Sequence, residues 1–149
     1  MIAQGLPTIG ITLGDPRGIG PEVTAAVLSS PDLLRIARPL VIGPDEMVAP
    51  YPSRAGIGSW SGGGDEEAGT VSGRAIERAI ELARSGRIDG LVTGPISKRA
   101  LNAAGFAFPG HTEFLRDATG TPEVTMMMAA EETPLGGPLR MAVVTQVCK

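Results

Sequence analysis

The chain has 149 residues, 42% of them hydrophobic and 19% charged, with a formal net charge of −3. That length suits a single domain able to bury a core, and that balance excludes a disordered chain and gives no basic footprint for nucleic acid. Aromatic residues make up only 3%, so the core must come from Ala, Val, Ile, Leu and Met; the single cysteine, Cys148, excludes an internal disulfide and a Cys-based metal cluster.

The opening "MIAQGLPTIGITL" lacks the basic and long apolar regions of a secretory signal. No apolar run approaches the roughly 18 residues that cross a bilayer. The reading is a soluble, cytoplasmic protein with no membrane partner.

In chain order, the first apolar run, 7–13, predicts a strand. It leads into "LGDPRGIGPE" (13–22), and a helical pattern follows from Pro21, placed at N1, towards Pro31. A second strand is predicted over 38–43. The stretch 44–69 is rich in Gly, Pro and Ser and shows no periodicity. It reads as a long, shortened connection that Tyr51 and Trp60 anchor to the body. The clearest helix covers 70–86, with Ile76, Ala79, Ile80 and Ala83 on one stripe and Gly86 just past its end.

A third strand is predicted within 89–96, then a short helix between Ser97 and Gly105. Another helix runs from Thr112, read as its N-cap, to Gly120. Runs 123–130 and 139–147 close the series as strands, and "VTMMMAA" reads as a buried strand packed through methionine. The strand runs are nearly continuous in apolar character, which suits strands covered on both faces. Strands alternating with helices predict an α/β fold with a mostly parallel sheet. No repeat or linker divides the chain, so residues 1–149 are read as one unit.

Three junctions carry candidate chemistry. In "LGDPRGIGPE", Gly14, Gly18 and Gly20 permit tight turns and close backbone approach. The stretch reads as a phosphate loop or as a structural turn at a cleft rim. The spacing is not GxGxxG and there is no Walker lysine; Asp15 and Glu22 would oppose an anion there, so the turn is the favoured reading. In "VTGPISK" (92–98), Thr93 and Lys98 fall at the carboxyl end of a predicted parallel strand, the usual ligand side. The plainer reading makes Pro95 a strand stop, Ser97 a cap and Lys98 a solvated charge.

In "FPGHTEFL", Pro109 and Gly110 build a turn that presents His111, the only histidine. Placed just before a helix cap, its ring would face outward to meet a substrate oxygen. The alternative is a turn histidine without a role. Alone, it cannot build a metal site, which needs about three protein ligands.

Taken in order, "ITLGDPRGIGPE", "DGLVTGPISKRALNAAGF", "FPGHTEFL" and "VTMMMAAEE…LRMAVVT" resemble the 4-hydroxythreonine-4-phosphate dehydrogenase family of vitamin B6 biosynthesis. The resemblance spans nearly the whole chain except 44–69. It implies an isocitrate/isopropylmalate dehydrogenase-like, three-layer α/β/α fold, of which this chain would hold only the N-terminal half. It also implies a homodimer with its active site in a cleft between two lobes. The implied reaction is oxidation, with NAD, of a small phosphorylated hydroxy-amino acid, followed by loss of carbon dioxide. A divalent metal (Zn, Mg or Co) held by three histidines would serve as the Lewis acid.

Within that resemblance His111 and Thr112 map onto the substrate-contacting GHT motif, so His111 is a substrate residue and not a metal ligand. The family's first metal-ligating histidine would fall at Val147, whose side chain cannot coordinate a metal. The other ligands and most of the NAD site would lie in the other half of the fold. The expectation is an oxidoreductase by lineage whose 149 residues, alone, do not turn over. Its rivals are a lobe that binds a partner or ligand without catalysis, and a relative acting on another hydroxy acid.

Overall fold

β1 (Thr8–Thr12) is the hub around which the described residues assemble. A computed structural model describes residues 5–134 and 136–143. β1 is central because it pairs in parallel with β2 (Arg38–Gly43) on one side and β4 (Gly90–Thr93) on the other. β3 (Arg54–Gly56) extends the sheet beyond β2, giving the order β3-β2-β1-β4, all parallel. The α/β class and the parallel sheet are as expected.

Side-chain alternation divides the sheet. Leu40 and Ile42 of β2 point to one face, where they meet Val71, Ala75, Ala79 and Leu82 of α4 (Asp65–Arg84). That layer is dense: Ile42 and Ile76 are fully buried, and a side chain at Gly10 would collide with Ile88. α5 (Lys98–Ala103) and α6 (His111–Thr119) pack on α4 from outside through Ile76, Ile80, Leu101 and Phe114. The three phenylalanines of the chain all gather here, Phe106 and Phe108 stacking on Phe114 with ring centroids 5.4 and 4.6 Å away.

The opposite face carries Ile9, Ile11 and Val92 beneath α1 (Gly20–Leu28) and α2 (Pro31–Ile36). This layer is loose. A cavity of roughly 200 Å³ separates α1 from the sheet, and Val23, Val27 and Val92 are all exposed. The three-layer expectation therefore holds with one well-packed helical layer and one open one.

Several boundaries differ from the sequence reading. The 44–69 stretch contains α3 (Asp45–Val48) and β3, and α4 starts at Asp65, five residues ahead of the predicted start. Asp65, Glu66 and Glu67 suit the positive end of the helix dipole, and Glu67 reaches back to accept from the Gly64 amide at 2.9 Å. Trp60 and Tyr51 do anchor this stretch, each packing against a separate core cluster. α2 was not expected: Pro31 opens it as an N1 residue and does not merely close the helix before it.

β5 (Met126–Ala130) and β6 (Leu139–Val143) form a separate antiparallel ribbon. Every residue of both strands is exposed, which corrects the reading of the methionine run as buried. An apolar run reports what a strand can bury, whereas burial needs a layer to pack against, and none covers this ribbon among the described residues. The predicted extension to 147 lies outside the described residues beyond Val143, as does Val147 itself. Among the described residues no helix is long and apolar enough to cross a membrane.

Candidate functional site

Parallel strands deliver their following loops to one end of the sheet, and the candidate residues collect there. After β1 the chain turns at Gly14, whose φ is +76°, and a side chain at that position would strike the Pro95 carbonyl. Gly20 is similarly closed by the Leu13 carbonyl. These glycines let the β1–α1 and β4–α5 loops lie in contact, with Asp15 N–H donating to Pro95 O at 2.9 Å and Gly94 N–H to Thr12 O at 2.8 Å. Gly18 N–H closes the turn on Asp15 O at 2.9 Å. The Gly-rich stretch is a structural clamp at the rim, the reading favoured from sequence.

Its charges close on themselves. Arg17 forks onto Asp15, Nε to Oδ1 at 3.2 Å and Nη2 to Oδ2 at 3.0 Å, and its Nη1 reaches Asp65 Oδ1 at 3.0 Å. Burial of Asp15 opposes its ionisation, but the hydrogen bonds and charge of Arg17 outweigh that and hold the carboxyl below its usual range. Asp65 Oδ2 accepts from Arg99 Nε at 2.7 Å. One carboxylate at the start of α4 thus joins the β1–α1 loop to the start of α5. Sequence reading gave no role to Arg17, Asp65 or Arg99. They lie 48 and 34 positions apart, so no local spacing signals them.

Thr93 is half-buried at the end of β4, while Lys98 is exposed at the first position of α5. Ser97 caps that helix, its Oγ accepting from Ala100 N–H at 3.2 Å, as expected. The Lys98 Cε stands about 4.0 Å from where a Gly110 side chain would begin, so the starts of α5 and α6 are neighbours.

The N-cap of α6 is Gly110 and not Thr112. Gly110 is extended, and its carbonyl accepts from Phe114 N–H at 3.3 Å, so the helix opens one residue past it. His111 and Thr112 are therefore the first two helical residues, and both are half-buried. This corrects the reading of His111 as an outward-facing loop residue. Phe114, held in its aromatic stack, and Arg84, whose Nη2 donates to Ala118 O at 2.8 Å, fix α6 at both ends.

The imidazole Nε2 is buried and has no hydrogen-bond partner among the described residues. Buried polar atoms are nearly always paired, so this orphan leaves a hydrogen bond open to a water or a ligand. Burial also pushes the His111 pKa below its usual value, so the ring is neutral at pH 7. A neutral ring can accept or donate one hydrogen bond at Nε2, according to tautomer.

Neither expected cofactor finds a fitting set of residues here. No group of three His, Cys, Asp or Glu side chains able to hold a metal occurs among the described residues. The Gly-rich turn, clamped by Pro95 and bridged by Arg17 and Asp15, presents no open cradle for a dinucleotide.

Parallel strands, a rim of clamped loops and an orphaned imidazole at a helix start define an α/β protein whose candidate residues collect at one end of a parallel sheet. Residues 45–149 match the family described as "Pyridoxal phosphate biosynthetic protein PdxA", and the chain belongs to that family. It is 39% identical to the D-threonate 4-phosphate dehydrogenase of Cupriavidus necator, matching 84% of this chain and 46% of that protein. It is 35% identical to the 4-hydroxythreonine-4-phosphate dehydrogenase of Geobacter metallireducens, over 93% of this chain and 48% of that protein. The crystal structure of a 4-hydroxythreonine-4-phosphate dehydrogenase from Burkholderia phymatum superposes with a TM-score of 0.77 at 32% identity, covering 98% of this chain and 52% of that one. The chain spans about half the length of the relatives it matches. Those relatives are oxidoreductases by name, and the family acts in vitamin B6 biosynthesis.

Proposed function

We propose that this chain carries the substrate-facing lobe of a cytoplasmic, NAD- and divalent-metal-dependent dehydrogenase for a small phosphorylated hydroxy acid. His111 and Thr112 hold the substrate, and Thr93 and Lys98 border it. The carrying observation is the orphaned Nε2 of His111 at the start of α6, within the motif that resembles the family's substrate contact. A neutral imidazole there hydrogen-bonds a hydroxyl or carboxylate without the cost of removing a cation from water. Lys98, next to the same turn, supplies positive charge for a phosphate.

Residues 1–149 form a single unit, the N-terminal half of the family fold, and the complete enzyme works as a homodimer. On this reading the chain alone binds substrate and does not oxidise it. The names of its relatives supply two candidate substrates, 4-hydroxythreonine 4-phosphate and D-threonate 4-phosphate.

The test uses the fact that His111 is the sole histidine, so its Cε1–H proton is a unique NMR signal. Titration with each phosphorylated hydroxy acid should move that signal in saturable fashion, and His111→Ala should weaken binding measured by calorimetry. With NAD and a divalent cation present, no NADH should accumulate. Absence of any shift at millimolar substrate would end the substrate-lobe reading, and NADH formation lost on His111→Ala would show that the chain turns over by itself.

A second reading, a lobe that works by docking a partner polypeptide, is supported by the exposed Val23, Val27 and Val92 and by the uncovered β5–β6 ribbon. Contiguous exposed apolar surface marks association. Ligand titration distinguishes the two, because a substrate lobe shifts the His111 signal with a phosphorylated hydroxy acid whereas a lobe that only docks a polypeptide does not.

A further inference from the structure

Three cations gather at the loop end of the sheet, and they are not equivalent. Arg17 is held on two carboxylates, Asp15 and Asp65. Arg99, although 85% exposed, is drawn back onto the remaining oxygen of Asp65 at 2.7 Å. Lys98 has no ion pair among the described residues, and its Cε lies beside Gly110, the residue before His111. The charges of Asp15, Arg17, Asp65 and Arg99 cancel, so Lys98 is the cation left at the turn, where the Glu113 carboxylate also stands, its Oε2 3.6 Å from the position a Gly110 side chain would take.

We infer that Asp65 determines specificity at the site: it withholds Arg99 from an incoming anion and leaves Lys98 to meet it. The inference rests on the ligand reading of His111. Its chemistry is that of competition. A phosphate dianion and the Asp65 carboxylate seek the same planar guanidinium forks, and Arg binds such oxygens in pairs where Lys offers only a point charge. With Asp65 in place, the site presents one cation and discriminates against ligands carrying several phosphates. Without it, Arg99 becomes available while Arg17 stays forked on Asp15, and the site gains a second cation for an incoming anion.

Inorganic phosphate is the probe, followed on the His111 Cε1–H signal of the full chain. In the wild type, Lys98→Ala should weaken phosphate about fivefold, which corresponds to about 1 kcal/mol. Asp65→Asn should tighten phosphate about fivefold, and Lys98→Ala should matter little in that background. Asp65→Glu, which keeps the charge, should return to wild-type behaviour, an outcome that a merely structural role for Asp65 does not give. Arg99→Ala, an exposed change that leaves folding intact, should not alter phosphate affinity, because Arg99 is already withheld.

Asp65→Asn with wild-type affinity overturns the inference, and so does an equal Lys98→Ala loss in both backgrounds or a loss of affinity in Arg99→Ala. If Asp65→Asn fails to fold, the Arg99→Ala and Asp65→Glu results decide it. Phosphate binding that appears only in Asp65→Asn upholds the withholding and overturns the ligand reading of the wild-type site. No response in any variant overturns both.

Discussion

The parallel body and the β5–β6 ribbon are built from equally apolar strands, yet one is a core and the other a surface. In the body, β2 reads "RPLVIG" and its last four residues are buried. In the ribbon, "MMMAA" is exposed throughout. The difference lies in the layer laid over each strand. β2 is overlaid by α4, a helix of 20 residues with ten buried positions, whereas no described helix crosses the ribbon. A two-stranded ribbon by itself is marginal in water. Stability in this molecule therefore concentrates where α4 is.

The sharpest way to break this contrast is at the contact between α4 and α5. A side chain at Gly69 would overlap the Ala100 carbonyl, so Gly69→Val should abolish cooperative unfolding, read as loss of a thermal transition by circular dichroism. Next comes Leu82→Ala, which empties a fully buried position and should cost about 2–5 kcal/mol in urea titration. Arg17→Ala should lower the melting temperature by less than Leu82→Ala, with the difference from wild type shrinking as salt is added.

pH sharpens the same contrast. The folded-state pKa of His111 is depressed, so the unfolded chain takes up a proton near pH 6.5 while the folded one resists it. Stability is thus fully present above about pH 6.5 and falls as pH drops through that value towards the folded pKa. His111→Gln should remove this slope, measured as melting temperature against pH between 7.5 and 5. The smallest effect belongs to the ribbon: Met127→Ala should change stability by less than about 0.5 kcal/mol, as surface changes do. A ribbon change as costly as Leu82→Ala would mean that the ribbon has a covering partner in solution.

Much of the body was legible because its signals are local. Apolar runs located β1, β2 and β4 to within a few residues, and helical periodicity found Ile76, Ala79 and Ile80 of the buried stripe of α4, although Ala83 is exposed and Leu82 is buried instead; the helix stops at Gly86 and Gly120 followed from residue type. β3 was missed because its three residues carry no period; it exists through pairing with β2, including Val41 N–H to Ser53 O at 3.0 Å. The cap of α6 was misplaced by preferring Thr112 for its hydroxyl, when an extended Gly110 serves through its carbonyl. His111 was found from its motif. Its burial was not, because burial depends on the α4–α5–α6 packing. The Arg17–Asp65–Arg99 chain was beyond reach, since it joins side chains brought together only by the completed sheet.

β1's central position also constrains the order in which the protein can be assembled as it is made. Its first neighbour, β2, is complete by Gly43, but its other edge waits for β4, and Thr8 N–H finds Asp89 Oδ2 only 81 residues later. At the usual pace of translation that interval is about 4–16 s. For those seconds the nascent chain has one open edge of its innermost strand on display, together with the apolar face that α4 will later cover. A ribosome-bound chaperone that recognises extended apolar segments would meet this protein at Thr8–Thr12, before any part of the His111 site has been synthesised.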